Sequence, residues 1–323
     1  MNDFIYIFKL MSNYFLDNNK LKFSLFLFIT VIYYFFETFG FLNFINYLSK
    51  TNNIIPKKKY LLYFSIFLVL FLILNYLNFK LLNEILDEQI APSRKKLINS
   101  LYKYINNNFK NFKIGNTIIK LYNITWYYVG LSIKIFNGLL PSSIIIFTIL
   151  SILYFNEKRI FIYLILCLLV FIIITSLYYK KIIKSAENER LIYYESIDLV
   201  NNQMNNLLNT LINNEQNYEK LKFNNKTDNQ VSNMSNCSSI ISELNLFLII
   251  NLCIFLFIIV YYLLKNKSKN IVIITLCLSY FIFSYLNFTS IIGIIIRYLG
   301  YILNSLPFIK KILDNNELGK IKK

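Results

Sequence analysis

Glu37, in the run YYFFETFGF, is the one carboxylate inside the uncharged apolar runs of this chain that are long enough to cross a bilayer. Placing a charge in hydrocarbon costs about 2.5–3.5 kcal/mol on insertion scales, so such a residue is a functional candidate by default. It could face a cavity and meet a cation on a bound molecule, or cycle a proton; the plainer role is to satisfy a polar neighbour. Five amides, Asn75, Asn78, Asn137, Asn251 and Asn287, also lie in or beside apolar runs. Hydrogen bonding between helices is their expected role. Asn137 and Asn287 join Glu37 as candidates for lining a cavity. Trp126, Tyr127 and Tyr128 fall near a headgroup level, which favours amphipathic rings; stacking on a bound molecule is their second reading.

Other chemistries are excluded by what is missing. Histidine is absent and the four cysteines stand far apart, so a zinc or iron–sulfur site, a Cys–His pair and a Ser–His–Asp triad all lack their parts. A P-loop needs G-x-x-x-x-G-K-[ST], whose backbone N–H groups cradle phosphates. The chain has seven glycines and no such motif; Gly319-Lys320 precedes Ile321 and lacks the upstream glycine. The net charge of +17 comes mostly from lysines scattered over every connection, in a chain rich in Ile, Asn, Lys, Tyr and Phe. That is the bias of an AT-rich coding sequence rather than a basic face, and no nucleic-acid partner is expected. The first twenty residues lack the basic, apolar and small-residue segments of a signal peptide.

The elements that must position these residues follow from hydropathy. With 56% hydrophobic residues and a mean hydropathy of +0.48, the chain belongs to the membrane class. Six apolar runs, residues 23–46, 60–79, 135–154, 160–179, 244–264 and 271–296, are each about the 20 residues that a helix needs to cross hydrocarbon. In lipid they must be helices, because the backbone has no other partner. The expected fold is an all-α membrane protein of six transmembrane helices.

Short and long connections alternate. Runs 1 and 2, 3 and 4, and 5 and 6 are joined briefly, while residues 80–134 and 180–243 form two long connections on the opposite side. In the first, Leu82, Leu86, Ile90, Leu97, Leu101 and Ile105 make a helical stripe, with Pro92 expected to kink it without ending it. In the second, Ile183, Ala186, Tyr193, Ile197, Val200, Met204, Leu207, Leu211 and Tyr218 make a seam. No Gly or Pro interrupts residues 160–223, so one helix of the order of 80–90 Å is expected there.

This order resembles the transmembrane domain of exporter-type ABC transporters. SRKKLINSLYKYINNNFKNFKIGNTIIKLYN (93–123), LPSSIIIFTILSILYFNEKRIFIYLIL (140–166) and ENERLIYYESIDLVNNQMNNLLNTLINNEQNYEKLKF (187–223) are similar, in that order, to three stretches of the family's membrane domain. They resemble the basic helix and turn before span 3, the tight loop between spans 3 and 4, and the descending helix with its coupling region and the acidic turn at Glu215.

The resemblance implies an elbow in residues 1–22 with an amphipathic helix over Phe4–Phe15, a membrane domain over 23–304 with long cytosolic helical extensions, and a linker-like tail over 305–323. It implies coupling segments near Phe109–Ile119 and Asn201–Thr210, with Phe109, Phe112, Gly115, Asn116, Met204, Leu207 and Leu208 as contacts to an ATPase, Gly115 being the turn glycine. It further implies termini in the cytosol, a second copy or homologous membrane half, and separate ABC ATPase subunits carrying ATP and Mg. On this reading the chain is the membrane subunit of an exporter working by alternating access. It is not itself an enzyme and holds no cofactor. The alternative is an ABC-like membrane domain without ATPase coupling, serving as scaffold, receptor or passive path.

Overall fold

A computed structural model of the chain describes residues 20–42, 44, 57–107, 114–266 and 271–321. Among them every regular element is helical. Helix α1 spans Lys20–Gly40, and α2 spans Lys57–Asn107. Helix α3 (Ile114–Lys134) passes through a π-helical turn, Ile135–Leu139, into α4 (Leu140–Asn156). Helix α5 (Lys158–Asn205) leads to a six-residue helix, α6 (Leu207–Ile212), then α7 (Gln216–Lys265) and α8 (Ile271–Ile321). Six of these helical stretches are long and apolar enough to cross a membrane. The chain is an integral multi-pass membrane protein, and α2, α5, α7 and α8 run well past their apolar stretches, as the alternating connections predict.

Two breaks in regularity have local causes. Pro141 sits in the first turn of α4, where its ring and missing N–H disturb the preceding turn, and the π-helical turn IFNGL lies directly before it. In contrast, α2 continues through Pro92. Of its stripe, Leu82, Leu86, Leu97 and Leu101 are buried.

The second long connection departs from the single helix expected over 160–223. Helix α5 stops at Asn205, about 70 Å from its start at about 1.5 Å per residue. Asn206 leaves helical geometry (φ −105°, ψ 15°), and Asn214 takes φ 55° before α7 turns back. Asparagine tolerates the left-handed region without a glycine, which is why a stretch free of Gly and Pro still makes a hairpin. Gln203 fastens the tip by donating to the Glu219 backbone O and Oε2, each at 2.8 Å. Lys226 pairs with Glu195 further up. The seam shifts as well. The buried line on α5 is Ile182, Ala186, Glu189 and Ser196, while Met204, Leu207, Leu211 and Tyr218 are exposed.

The core lies where α5 packs along α7 and both meet α8. Two amides act as expected between helices. Asn78 Oδ1 accepts from Thr30 Oγ1 at 2.7 Å, tying α2 to α1. Asn251 Nδ2 donates to the Cys167 carbonyl (3.1 Å) and to Tyr285 Oη (2.9 Å), and that hydroxyl donates to the Leu248 carbonyl (3.1 Å). This network joins α5, α7 and α8.

Closest approach of α5 and α8 depends on Gly300. A Cβ there would meet Ala186 Cβ at 2.7 Å and the Ile183 carbonyl O at 3.1 Å, and neither can swing away. Gly300→Val is therefore expected to separate the two helices and cost about 1–3 kcal/mol. A lowered unfolding midpoint in detergent checks this; Gly138→Ala should cost less, because its Cβ would meet only the movable Cδ1 end of Ile291.

Candidate functional site

The structure does not gather the three cavity candidates into one site. Glu37 lies in a π-helical turn, Phe36–Gly40, on the line of α1 that also carries buried Phe26, Thr30 and Tyr33. It is half-buried, within electrostatic reach of Tyr280 on α8, and no cation among the described residues pairs with it. Asn137 and Asn287 are both exposed and flank the contact of Gly138 with Ile291. Seven residues separate Tyr280 from Asn287, about 10 Å along α8. Phe136, beside Asn137, packs on Phe26 with ring centroids 5.7 Å apart, and Glu37 lies eleven residues further along α1, about 16 Å away.

The strongest polar cluster is one that the apolar seam conceals. On α5, the spacing Ile182–Ala186–Glu189 puts a carboxylate on the buried stripe, where Glu189 is 2% exposed. On α8, Arg297 and Tyr301 are four apart and therefore share the face that meets it. Arg297 donates through Nε (3.1 Å) and Nη2 (2.9 Å) to Glu189 Oε2. Tyr301 Oη reaches Glu189 Oε1 at 2.8 Å and Oε2 at 2.9 Å. Arg297 Nη1 also donates to Ser238 Oγ of α7 at 3.5 Å. Two guanidinium N–H groups and the one Tyr301 O–H thus satisfy the carboxylate, as a buried charge requires.

Arg190 is different. Its guanidinium lies 3.8 Å from the Tyr301 ring centroid, 4.8 Å from that of Tyr127 and 5.1 Å from that of Tyr193. Its nearest carboxylate contact is a long 3.8 Å from Nη2 to Glu189 Oε1, and its buried Nε has no acceptor. One carboxylate thus faces two guanidinium groups, and the cluster carries one net positive charge.

A cavity of about 520 Å³ opens beside this cluster, walled by Trp126, Tyr127, Gly130 and Ile133 of α3, Glu189 and Arg190 of α5, Met234 of α7, and Arg297, Tyr298 and Tyr301 of α8. Gly130 lets the Tyr298 ring close on α3 to form the wall: a Cβ there would meet that ring at 2.9 Å. Trp126, read above as a headgroup-level ring with stacking as its second role, stands at the mouth, more than half exposed. Arg297 directly follows the last apolar run and Arg190 lies eleven residues past Tyr179, so the cavity sits at the end of the spans away from the short connections.

A second surface stands out at the hairpin tip. Met204, Leu207, Leu208 and Ile212 are 68%, 51%, 75% and 75% exposed. The tip lies 26 residues beyond Tyr179, about 40 Å along α5 and out of reach of hydrocarbon. Of the other coupling candidates, Phe109 and Phe112 lie outside the described residues, as does the elbow Phe4–Phe15. Gly115 and Asn116 lie in α3, at the start of its described part.

No protein-family model matches this sequence, and no curated protein matches it. Among solved structures, a bacterial Atm1-family ABC exporter with ATP bound superimposes with a TM-score of 0.65 at 10% identity, over 95% of this chain and 53% of that one. The chain thus spans about half the length of the protein that it matches. Its fold is that of an ABC exporter's transmembrane domain, in agreement with the resemblance of the sequence.

Proposed function

We propose that this chain is a membrane-spanning half of an ABC-type exporter, forming a translocation path by alternating access and driven by ATP-binding domains outside these 323 residues. The observation that carries this reading is the apolar helix α6 at the end of a long antiparallel hairpin. A soluble surface rarely leaves four large apolar side chains together without a partner, and neither the bilayer nor the described chain covers these. A helix end that swings with α5 and α7 can pass a push at the tip to the spans. A second membrane half, identical or homologous, would complete the path.

Purification in mild detergent, followed by mass analysis and an ATPase assay, tests the proposal. The expected result is ATP turnover by the purified particle, together with two membrane halves. A single chain without ATP turnover would favour the scaffold or passive path instead.

A further inference from the structure

We infer that the cavity between α3, α5 and α8 binds an anionic group, a carboxylate or phosphate, carried on an apolar or aromatic body, with Arg190 as its counter-charge. As a statement about transported substrate this rests on the exporter reading; as a statement about binding it does not.

Charge decides the headgroup. Glu189 is engaged by Arg297 and Tyr301, which leaves Arg190, held only at 3.8 Å from Oε1 and against tyrosine rings, as the less compensated of the two charges in the wall. Its buried Nε lacks an acceptor, an arrangement that is costly unless a ligand or water supplies one. Stacking on Tyr301 holds the guanidinium plane fixed, so the donor edge is preorganised for a planar or tetrahedral anion. A cationic ligand would meet a wall of net positive charge, with the one carboxylate already paired to Arg297. The remaining wall, with Trp126, Ile133 and Tyr298, offers ring faces and apolar surface, which suits an apolar or aromatic body. The location at the end of the spans admits either a lipid with an anionic headgroup or a soluble anion.

Trp126 is the only tryptophan of the chain and lines the cavity, so its fluorescence reports occupancy directly. The full chain is reconstituted in phosphatidylcholine nanodiscs. It is titrated with phenyl phosphate in one arm, and compared with discs of increasing phosphatidylglycerol content in the other. Saturable change in either arm supports the site, and the arm that responds names the source. Glu189→Gln, which frees Arg297, is expected to tighten binding several-fold, whereas Arg190→Gln weakens it about tenfold or more. Arg190→Lys, which keeps the charge but loses the planar donor edge, should fall between the parent and Arg190→Gln, and Arg190→Met serves in place of Arg190→Gln if the latter does not fold. Opposite signs at adjacent residues are not what a merely structural pair would give. Absence of any response in both arms, equal binding of benzyl alcohol or of inorganic phosphate, or weaker binding by Glu189→Gln overturns the proposal. No nucleotide is needed, so a failed titration leaves the ATPase reading untouched, and a particle without ATP turnover leaves the titration standing.

Discussion

Glu189→Ala is expected to destabilise the fold by about 3–5 kcal/mol, the largest loss from any single side chain outside the apolar core. The carboxylate is 2% exposed and holds Arg297 through two hydrogen bonds and Tyr301 through its one O–H, 2.8 Å from Oε1. Removing it leaves two guanidinium groups facing one another across a cavity, with no anion between them. Arg297→Ala should cost a similar amount, because it strands the buried carboxylate. The double replacement Glu189→Leu with Arg297→Met removes this pair at similar volume and should cost less than the sum of the two single losses by about 1–3 kcal/mol, Arg190 and the Tyr301 hydroxyl still lacking the carboxylate. Unfolding by denaturant in detergent, run as a double-mutant cycle, measures this. Additive losses, or a Glu189→Ala variant within about 1 kcal/mol of the parent, would show that the ion pair does not hold α5 to α8.

The parts of this arrangement legible in the sequence are those governed by long-range hydropathy. Six apolar runs and their alternating spacing suffice for the spans and for two projecting hairpins, because lipid leaves the backbone no choice but helix. Glu189 was hidden for the opposite reason. It follows Ala186 by three residues, on a face where a seam reading looks for apolar residues, and only Arg297 and Tyr301, more than a hundred residues away, make its burial tolerable. Nothing local announces such a partner. The turn at Asn213–Glu215 was legible only through the resemblance, which places an acidic turn at Glu215: in so asparagine-rich a chain, Asn-Asn carries little weight, yet Asn214 is the residue that takes the positive φ. Glu37 shows the limit of reading charge alone, since its place on the α1 stripe, eleven residues beyond the Phe26 that packs on Phe136, was not deducible from its lone occurrence.

Leu208→Asp is expected to abolish ATP-dependent function while leaving the membrane helices folded. Leu208 is 75% exposed on α6, and no packing against the described core depends on it. In the proposed function it is a central apolar contact to an ATP-binding domain, and truncating or charging such a contact typically costs about 2–4 kcal/mol, some 30- to 1,000-fold in affinity. Asn209→Asp adds the same charge to the next residue of α6 without removing apolar surface, so it separates loss of docking from simple repulsion. The expected pattern is ATP turnover near the parent value for Asn209→Asp and near background for Leu208→Asp, with unchanged unfolding midpoints for both. Met204→Asp and Ile212→Asp should follow Leu208→Asp, because all three side chains lie on one exposed apolar patch about 40 Å beyond the span. Undiminished turnover in all three would detach the hairpin tip from energy coupling. A loss shared equally by Asn209→Asp would assign the effect to charge instead of to a docked apolar helix. The contrast between neighbouring positions carries the inference, since a general weakening of the hairpin would affect both alike.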